Sequence, residues 1–176
     1  VAGPVALPTP AGVERVDVES AAQMLEAVQG PSCDIFIGAA AVADYRPAHP
    51  AQRKIKKERA ELSLELARNP DIISTVAAGT HPPFTVGFAA ETDDLERYAL
   101  GKLRAKHLDM IAANWVGSGA QGGFETEDNA LEVFWEEGKA SLPLSDKLSL
   151  ARALVNLIGE RFRAVREDRG GECAQD

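Results

Sequence analysis

The sequence predicts an α/β fold in which a mostly parallel sheet is covered by helices. Short apolar segments alternate with amphipathic ones along the chain, which is typical of buried strands separated by helices. The segment 34–41, DIFIGAAA, is apolar after its first residue and too short for a stable helix. It therefore suits a strand that is buried on both faces, as strands of parallel sheets are.

The first half of the chain carries a complete helix signal and a second strand signal. Residues 20–23 form a capping box, which opens a helix that Gly30 ends. After the strand at 34–41, polar and apolar residues alternate in the segment 61–66, ELSLEL. This alternation predicts a half-buried strand at an edge or in an antiparallel pair.

The rest of the chain is predicted to contain three more helices, each capped by a polar side chain at its start. The predicted caps are Asn69 before Pro70, then Thr92 or Asp93, and finally Ser145. Strands are predicted at 84–88 and 109–113, and a small antiparallel hairpin at 130–135 and 140–142 around Glu137 and Gly138. The last helix is expected to bury the apolar face comprising Leu148, Ala151, Val155, Ile158 and Phe162.

Length and charge limit the organisation and the partners of the chain. Its 176 residues predict one domain over residues 1–166, followed by a polar tail at 167–176. The start, Val1–Pro10, resembles the exit from a strand, so the first βα unit of the domain is predicted to be missing. The net charge of −8 argues against a nucleic-acid or membrane-surface binder. Two distant cysteines and the lack of a long apolar run predict a cytoplasmic protein.

Residues that follow the predicted strands are the candidates for ligand binding, because ligands of parallel α/β sheets bind beyond the carboxyl ends of the strands. Small residues at 38–43 let a flat ligand approach the backbone, and Asp44 can bind a ribose hydroxyl or a metal ion. Alternatively, this Asp caps a turn. Phe88 can stack on a base or belong to the core. The helix start at Asn69 and Pro70 suits an electron-rich atom, although ordinary capping explains both residues.

Two groups of lysines can bind phosphates in this acidic chain. The first group, Lys54, Lys56 and Lys57, follows Asp44. The second is a pair, Lys102 and Lys106, whose members are four residues apart on one predicted helix. Like charges at that spacing destabilise a helix by about 0.2–0.5 kcal/mol. A bound polyphosphate would relieve this repulsion, and the relief would strengthen its binding. The alternative is a solvated surface on which the second pair is relieved by Glu96 or Asp109.

Five motifs occur in a fixed order: AAAVADYRP (39–47), KIKK (54–57), NPDI (69–72), VGFAAET (86–92) and KLRAKHLDMIAAN (102–114). In this order and spacing the chain resembles phosphopantothenoylcysteine synthetase, and the match continues through GF-x-T-x-x-N-A-L at 123–131. The resemblance covers about residues 1–145. It implies a Rossmann-like three-layer fold and a homodimer. It also implies that FMN belongs only to a fused decarboxylase domain that is absent here.

The resemblance further implies a ligase of coenzyme A biosynthesis. Such an enzyme activates 4'-phosphopantothenate with CTP as an acyl-cytidylate, uses Mg²⁺, and couples the acyl group to cysteine. The implied contacts to cytidine and its phosphates are Gly38, Ala39, Ala40, Phe88, Lys102 and Lys106, with Pro70, Asp71, Ile72 and Ile73 at the cytosine. Asp44 is the implied ribose or cation contact, and Lys54 is the implied catalytic residue. The family's N-terminal phosphopantothenate half-site, with its GGT-x-E-P and N-x-S-S-G-K segments, has no counterpart here.

Two other functions remain open from the sequence. One is a non-catalytic nucleotide-binding or dimerisation module. The other is an NAD(P)-dependent oxidoreductase, although the chain contains no G-x-G-x-x-G fingerprint.

Overall fold

The computed structural model describes residues 1–30, 32–56, 61–116 and 128–172, with side chains described to Glu167. The helices are α1 Ala21–Gln29, α2 Ile72–Ala77, α3 Leu95–Ala105 and α4 Lys147–Glu172. The strands are β1 Ile35–Gly38, β2 Tyr45–Pro47, β3 Leu66–Arg68, β4 Phe84–Glu91, β5 Met110–Trp115, β6 Asp128–Trp135 and β7 Gly138–Asp146. No helix in these ranges is both long enough and apolar enough to cross a bilayer.

The chain divides into two compact units, Val1–Pro31 with Ala40–Thr75, and Ser32–Ala39 with Val76–Asp176. The first unit contains α1 and the two-stranded antiparallel sheet of β2 and β3. The second unit contains a five-stranded sheet in the order β1-β4-β5-β6-β7, together with α3 and α4. The single domain over 1–166 stays a prediction, and α4 extends the helix into the predicted polar tail.

The five-stranded sheet confirms the predicted α/β, Rossmann-like fold. Strands β1, β4 and β5 are parallel neighbours, and β6 and β7 add an antiparallel extension. The predicted hairpin is confirmed, with longer strands on both sides of its turn. A Cβ at Gly138 would lie 2.8 Å from Cζ2 of Trp135, so any other residue here requires the Trp135 ring to shift.

Helices cover both faces of the sheet. On one face, Val86, Met110 and Val133 pack with the buried residues Leu150, Leu154 and Ile158 of α4. Successive strand residues point to opposite faces, so the odd-numbered residues of β4 and β5 face α3. This helix buries Leu95, Ala99 and Leu103. The second unit therefore has three layers, as predicted.

Capping was predicted correctly for α1. The Ser20 hydroxyl accepts a hydrogen bond from the Gln23 amide at 3.2 Å, and the Gln23 side chain accepts one from the Ser20 amide at 3.0 Å. Gly30 occupies the C-cap. The local sequence determines this arrangement because both partners lie within one turn.

The other three predicted caps are wrong, each by one or two residues. Helix α2 is capped by Asp71, whose Oδ1 accepts from the Ser74 amide at 3.1 Å, and not by Asn69. The residue before α3 is Asp94, which has a left-handed backbone (φ 37°) and no side-chain cap bond, instead of Thr92 or Asp93. Asp146, not Ser145, caps α4 by accepting from the Leu148 and Ser149 amides at 3.1 and 3.0 Å. Hydrogen bonds from Ser149 lower the pKa of Asp146.

One further prediction about a buried face is wrong, and a second is right only in part. Of the ELSLEL segment only Leu66 lies in a strand, because β3 pairs only with the three residues of β2. On the predicted face of α4, Ile158 is buried and Phe162 packs against the core, as expected. Leu148 and Val155 are instead 61% and 58% exposed, whereas Leu150 and Leu154 are buried. Apolar residues occupy both stripes of this helix, so the sequence pattern does not decide which one faces the sheet.

Candidate functional site

Strand β1 ends beside the middle of β4, which continues with β5 for four more residues. Gly38, the last residue of β1, pairs with Gly87 of β4, and the next residue of β4 is Phe88. Gly38 is half-buried and Gly87 is buried, so the approach of a flat ligand to the backbone of Gly38 stays a prediction. Ala39 continues from Gly38 and is exposed.

Phe88 lies on the face of the sheet that α4 covers, but beyond the packed core. Phe84 and Val86 on the same face of β4 are 7% and 0% exposed, whereas Phe88 is 39% exposed. Ile37, on the neighbouring strand and the same face, is 44% exposed. The alternative of a core phenylalanine is therefore wrong, and the ring is available for stacking.

Lys102 of α3 forms an ion pair with Glu91, the last residue of β4. The distance from Nζ to Oε1 is 2.6 Å, and the side chains are 44% and 12% exposed, respectively. Lys106 follows at the C-cap of α3, where its amide donates to the Lys102 carbonyl at 3.0 Å. Two lysines thus lie at the carboxyl end of α3, one of them held toward β4.

Glu96 and Asp109 were expected to relieve the pair of Lys102 and Lys106; Lys102 pairs with Glu91 instead, and relief of Lys106 by Asp109 stays a prediction. Glu96 pairs with Lys139 at 2.8 Å, and Asp109 accepts hydrogen bonds from the amide and hydroxyl of Thr85 at 2.7 and 3.1 Å. Sequence reasoning missed Glu91, although a signal existed. Glu91 is two residues after the buried Ala89 and so belongs to the strand face that α3 covers.

In the first unit, the predicted cation contact and the predicted cytosine-binding segment flank the same end of a sheet. The Asp44 carbonyl accepts a hydrogen bond from the Asn69 amide at 2.7 Å, directly beyond the pair Tyr45 and Arg68. Asp44 and Pro70 are therefore near neighbours, and both are exposed. This unit contains four more residues that were predicted to contact the nucleotide. Ala40 and Asp71 are exposed, Ile72 is buried and Ile73 is half-buried.

Lys54 lies on the connection that leaves β2 and returns to β3. Lys54 and Lys56 are both exposed. Lys57 lies outside the described residues, as do positions 123–127 of the last motif. That these residues contact a nucleotide stays a prediction.

The described residues include no group of three or more His, Cys, Asp or Glu side chains that could hold a metal ion. Mg²⁺ usually keeps several waters and takes only one or two protein carboxylates when it binds with phosphates. A single exposed carboxylate, Asp44, is compatible with that type of binding. The residues present therefore fit a cation that arrives with a phosphate ligand, not a preformed metal centre.

The chain is similar to bacterial proteins named coenzyme A biosynthesis bifunctional protein CoaBC. It is 55% identical to the Vibrio cholerae protein over 167 residues, which are 92% of this chain and 42% of that protein. Identity to the Escherichia coli K12 protein is 48% over 168 residues, 92% of this chain and 41% of that protein. The chain thus spans about two fifths of the length of these relatives.

A solved structure and a family description agree with these relatives. The crystal structure of the C-terminal domain of coenzyme A biosynthesis bifunctional protein CoaBC matches with a TM-score of 0.71 and 35% identity, over 94% of this chain and 72% of that one. The family described as DNA/pantothenate metabolism flavoprotein C-terminal domain matches residues 1–162. The resemblance drawn from the motifs is confirmed. This chain belongs to the DNA/pantothenate metabolism flavoprotein C-terminal domain family.

Proposed function

We propose that the chain is the CTP-dependent part of a phosphopantothenate–cysteine ligase in coenzyme A biosynthesis. The observation that carries this proposal is the family match over residues 1–162, together with relatives whose names assign them to coenzyme A biosynthesis. The ordered motifs support the same activity, and several of their residues adjoin the end of β1 or the start of α2, which are places where nucleotides bind in such folds. We also propose a cytoplasmic homodimer that acts on small molecules, with FMN only in a fused decarboxylase part.

Residues of the first unit are proposed to bind cytidine and to assist phosphate chemistry. Ala40 and the segment Pro70 to Ile73 would contact the nucleoside, with backbone groups of the segment at the cytosine. Asp44 would bind the ribose or the Mg²⁺ that accompanies the phosphates. Lys54, on its exposed connection, would hold the phosphates during acyl transfer.

Residues of the second unit are proposed to bind the nucleoside and the triphosphate. Gly38 and Ala39 would let the nucleotide approach the backbone, and Phe88 would pack on the nucleoside. Lys102 and Lys106 would bind the triphosphate. Ammonium groups are strong donors to phosphate oxygens, so two lysines at one helix end suit this role.

The proposed reaction has two steps. A carboxylate oxygen of 4'-phosphopantothenate attacks the α-phosphorus of CTP, and pyrophosphate leaves with the electrons of the broken P–O bond. The amine of cysteine then attacks the acyl carbon, loses a proton to solvent, and displaces CMP. Negative charge builds on phosphate oxygens in the first step, so lysines that are already in place lower its barrier by positioning and by electrostatic stabilisation.

Nucleotide preference tests the proposed function. We expect calorimetry of the chain with Mg²⁺ to give tighter binding of CTP than of ATP or NADPH. Release of pyrophosphate when 4'-phosphopantothenate is added would extend the result from binding to catalysis. A preference for NADPH would contradict the proposal, and CTP binding without turnover would favour a non-catalytic module.

Glu91→Gln is expected to tighten CTP binding about threefold to tenfold. The new amide oxygen can still accept the hydrogen bond from Lys102, but the negative charge that competes with the triphosphate is removed. Calorimetry at low salt measures the change, which should shrink as salt is added.

The control for this prediction is Glu96→Gln, which removes the same charge from the first turn of α3. Glu96 pairs with Lys139 and not with Lys102, so its loss should leave the Kd for CTP within about twofold. Equal effects of the two variants would mean that Glu91 acts only through the net charge of the protein.

A further inference from the structure

Asn69 joins two segments of the first unit through its side chain. Its Nδ2 donates a hydrogen bond to the Ala43 carbonyl at 2.8 Å, and its Oδ1 accepts one from Nη1 of Arg46 at 3.0 Å. Its amide also donates to the Asp44 carbonyl at 2.7 Å. The carboxamide that was expected to cap α2 therefore links the end of the 39–47 motif to the start of the 69–72 motif.

Arg46 completes this link from the strand β2. The same Nη1 that donates to Asn69 also donates to the Arg68 carbonyl at 2.8 Å. Backbone pairing of Tyr45 with Arg68 holds the two strands together at this point. Beyond this pair, β2 is preceded by Ala43 and β3 is followed by Pro70. The Asn69 side chain therefore holds these two segments at a fixed distance from each other where they lie outside the sheet.

An asparagine side chain satisfies both partners at this position, whereas aspartate and alanine do not. A guanidinium must face an acceptor, and a carbonyl must face a donor, so the orientation of the Asn69 carboxamide is determined by Arg46 and Ala43. Aspartate would keep the acceptor for Arg46 but would set a second oxygen against the Ala43 carbonyl. Alanine would remove both bonds.

We propose that Asn69 is a positioning residue that sets the spacing of the two segments assigned to cytidine. This inference rests on the proposed function, in which Asp44 contacts the ribose and Pro70 to Ile73 contact the cytosine. Asn69 itself needs no contact with the nucleotide. Binding depends on both segments being in place before the ligand arrives, because ordering them on binding would cost affinity.

Asn69→Ala is expected to weaken binding of both CTP and CMP about tenfold. Both ligands should respond equally because the affected segments are assigned to the base and the ribose, which the two ligands share. Calorimetry of the whole chain gives the Kd values, and thermal unfolding gives the stability of each variant.

Ser20→Ala is the matched control. It removes the hydrogen bonds of the Ser20 hydroxyl in the α1 capping box, which belongs to the same unit but to neither motif. It should lower the unfolding temperature to a similar extent and leave both Kd values within about twofold. If Asn69→Ala does not fold, Asn69→Asp replaces it as the test variant. It should weaken CMP binding in the same way.

The outcomes separate the inference from the proposed function. If the unsubstituted chain binds neither CTP nor CMP, the proposed function fails and this inference fails with it. If the unsubstituted chain binds CTP and Asn69→Ala behaves like Ser20→Ala, only the positioning role is overturned. A loss confined to CTP would also overturn it, since that result indicates a direct effect on the phosphates.

Discussion

Lys54→Gln is expected to abolish turnover while leaving the fold intact. Lys54 lies on an exposed connection, so the substitution removes a charge from a surface segment and creates no cavity. In the proposed reaction this ammonium holds the phosphates while the acyl group is transferred. Losing one preorganised donor to developing charge typically slows a reaction about 100-fold to 1,000-fold. Release of CMP, followed with 4'-phosphopantothenate, CTP and cysteine in an active preparation of the protein, measures the loss.

The matched control for this prediction is Lys139→Gln. Lys139 is also exposed, but it lies on β7 and pairs with Glu96, whose hydrogen bond raises the pKa of the ammonium. This variant should turn over at the normal rate. Normal turnover by Lys54→Gln as well would contradict the catalytic role of Lys54.

Met110→Ala is expected to lower the free energy of unfolding by about 2–5 kcal/mol. Met110 is fully buried on β5, pairs in register with Val86 of β4, and packs in the cluster that includes Leu150 and Leu154 of α4. Removing its side chain leaves a cavity between the sheet and that helix, which the rigid surroundings fill only in part. Urea unfolding followed by circular dichroism measures the effect.

Leu148→Ala is the control for the core substitution. Leu148 is 61% exposed on α4, so the same kind of truncation removes little buried surface. The free energy of unfolding should change by less than about 0.5 kcal/mol. A large loss for Leu148→Ala would show that the exposed stripe of α4 contributes to stability in solution.

Local signals in the sequence were sufficient for some elements and not for others. The capping box of Ser20 and Gln23 was predictable because its partners are three residues apart and need nothing else from the fold. The buried face of α4 was predictable only at Ile158 and Phe162, because two apolar stripes compete in the rest of the helix and the sheet selects the one with Leu150 and Leu154. The prediction of a strand at 61–66 was wrong for a related reason, because alternating polar and apolar residues do not supply a neighbouring strand to pair with.

The candidate site shows the same limit. The position of Gly38 at the end of β1 followed from the apolar run, and the structure places it there. Phe88 was expected at a strand end but lies within β4, which continues to Glu91 because it pairs with β5 over that length. The pair of Lys102 and Glu91 depends on how α3 is rotated over β4, which helical spacing alone does not determine. The link through Asn69 requires the pairing of β2 with β3, whose bounds the sequence did not reveal.

The order of the strands has a consequence for how the family can vary. Strands β1 and β4 are neighbours in the sheet, yet the segment Ala40–Thr75 lies between them in the chain. That segment is topologically an insertion, and the register of Gly38 with Gly87 does not depend on its length. Closing a flexible loop costs only about 0.6 kcal/mol more for each doubling of its length. Insertions and deletions in the connection that carries Lys54 are therefore tolerable during evolution without loss of the strand ends on which a ligand would rest.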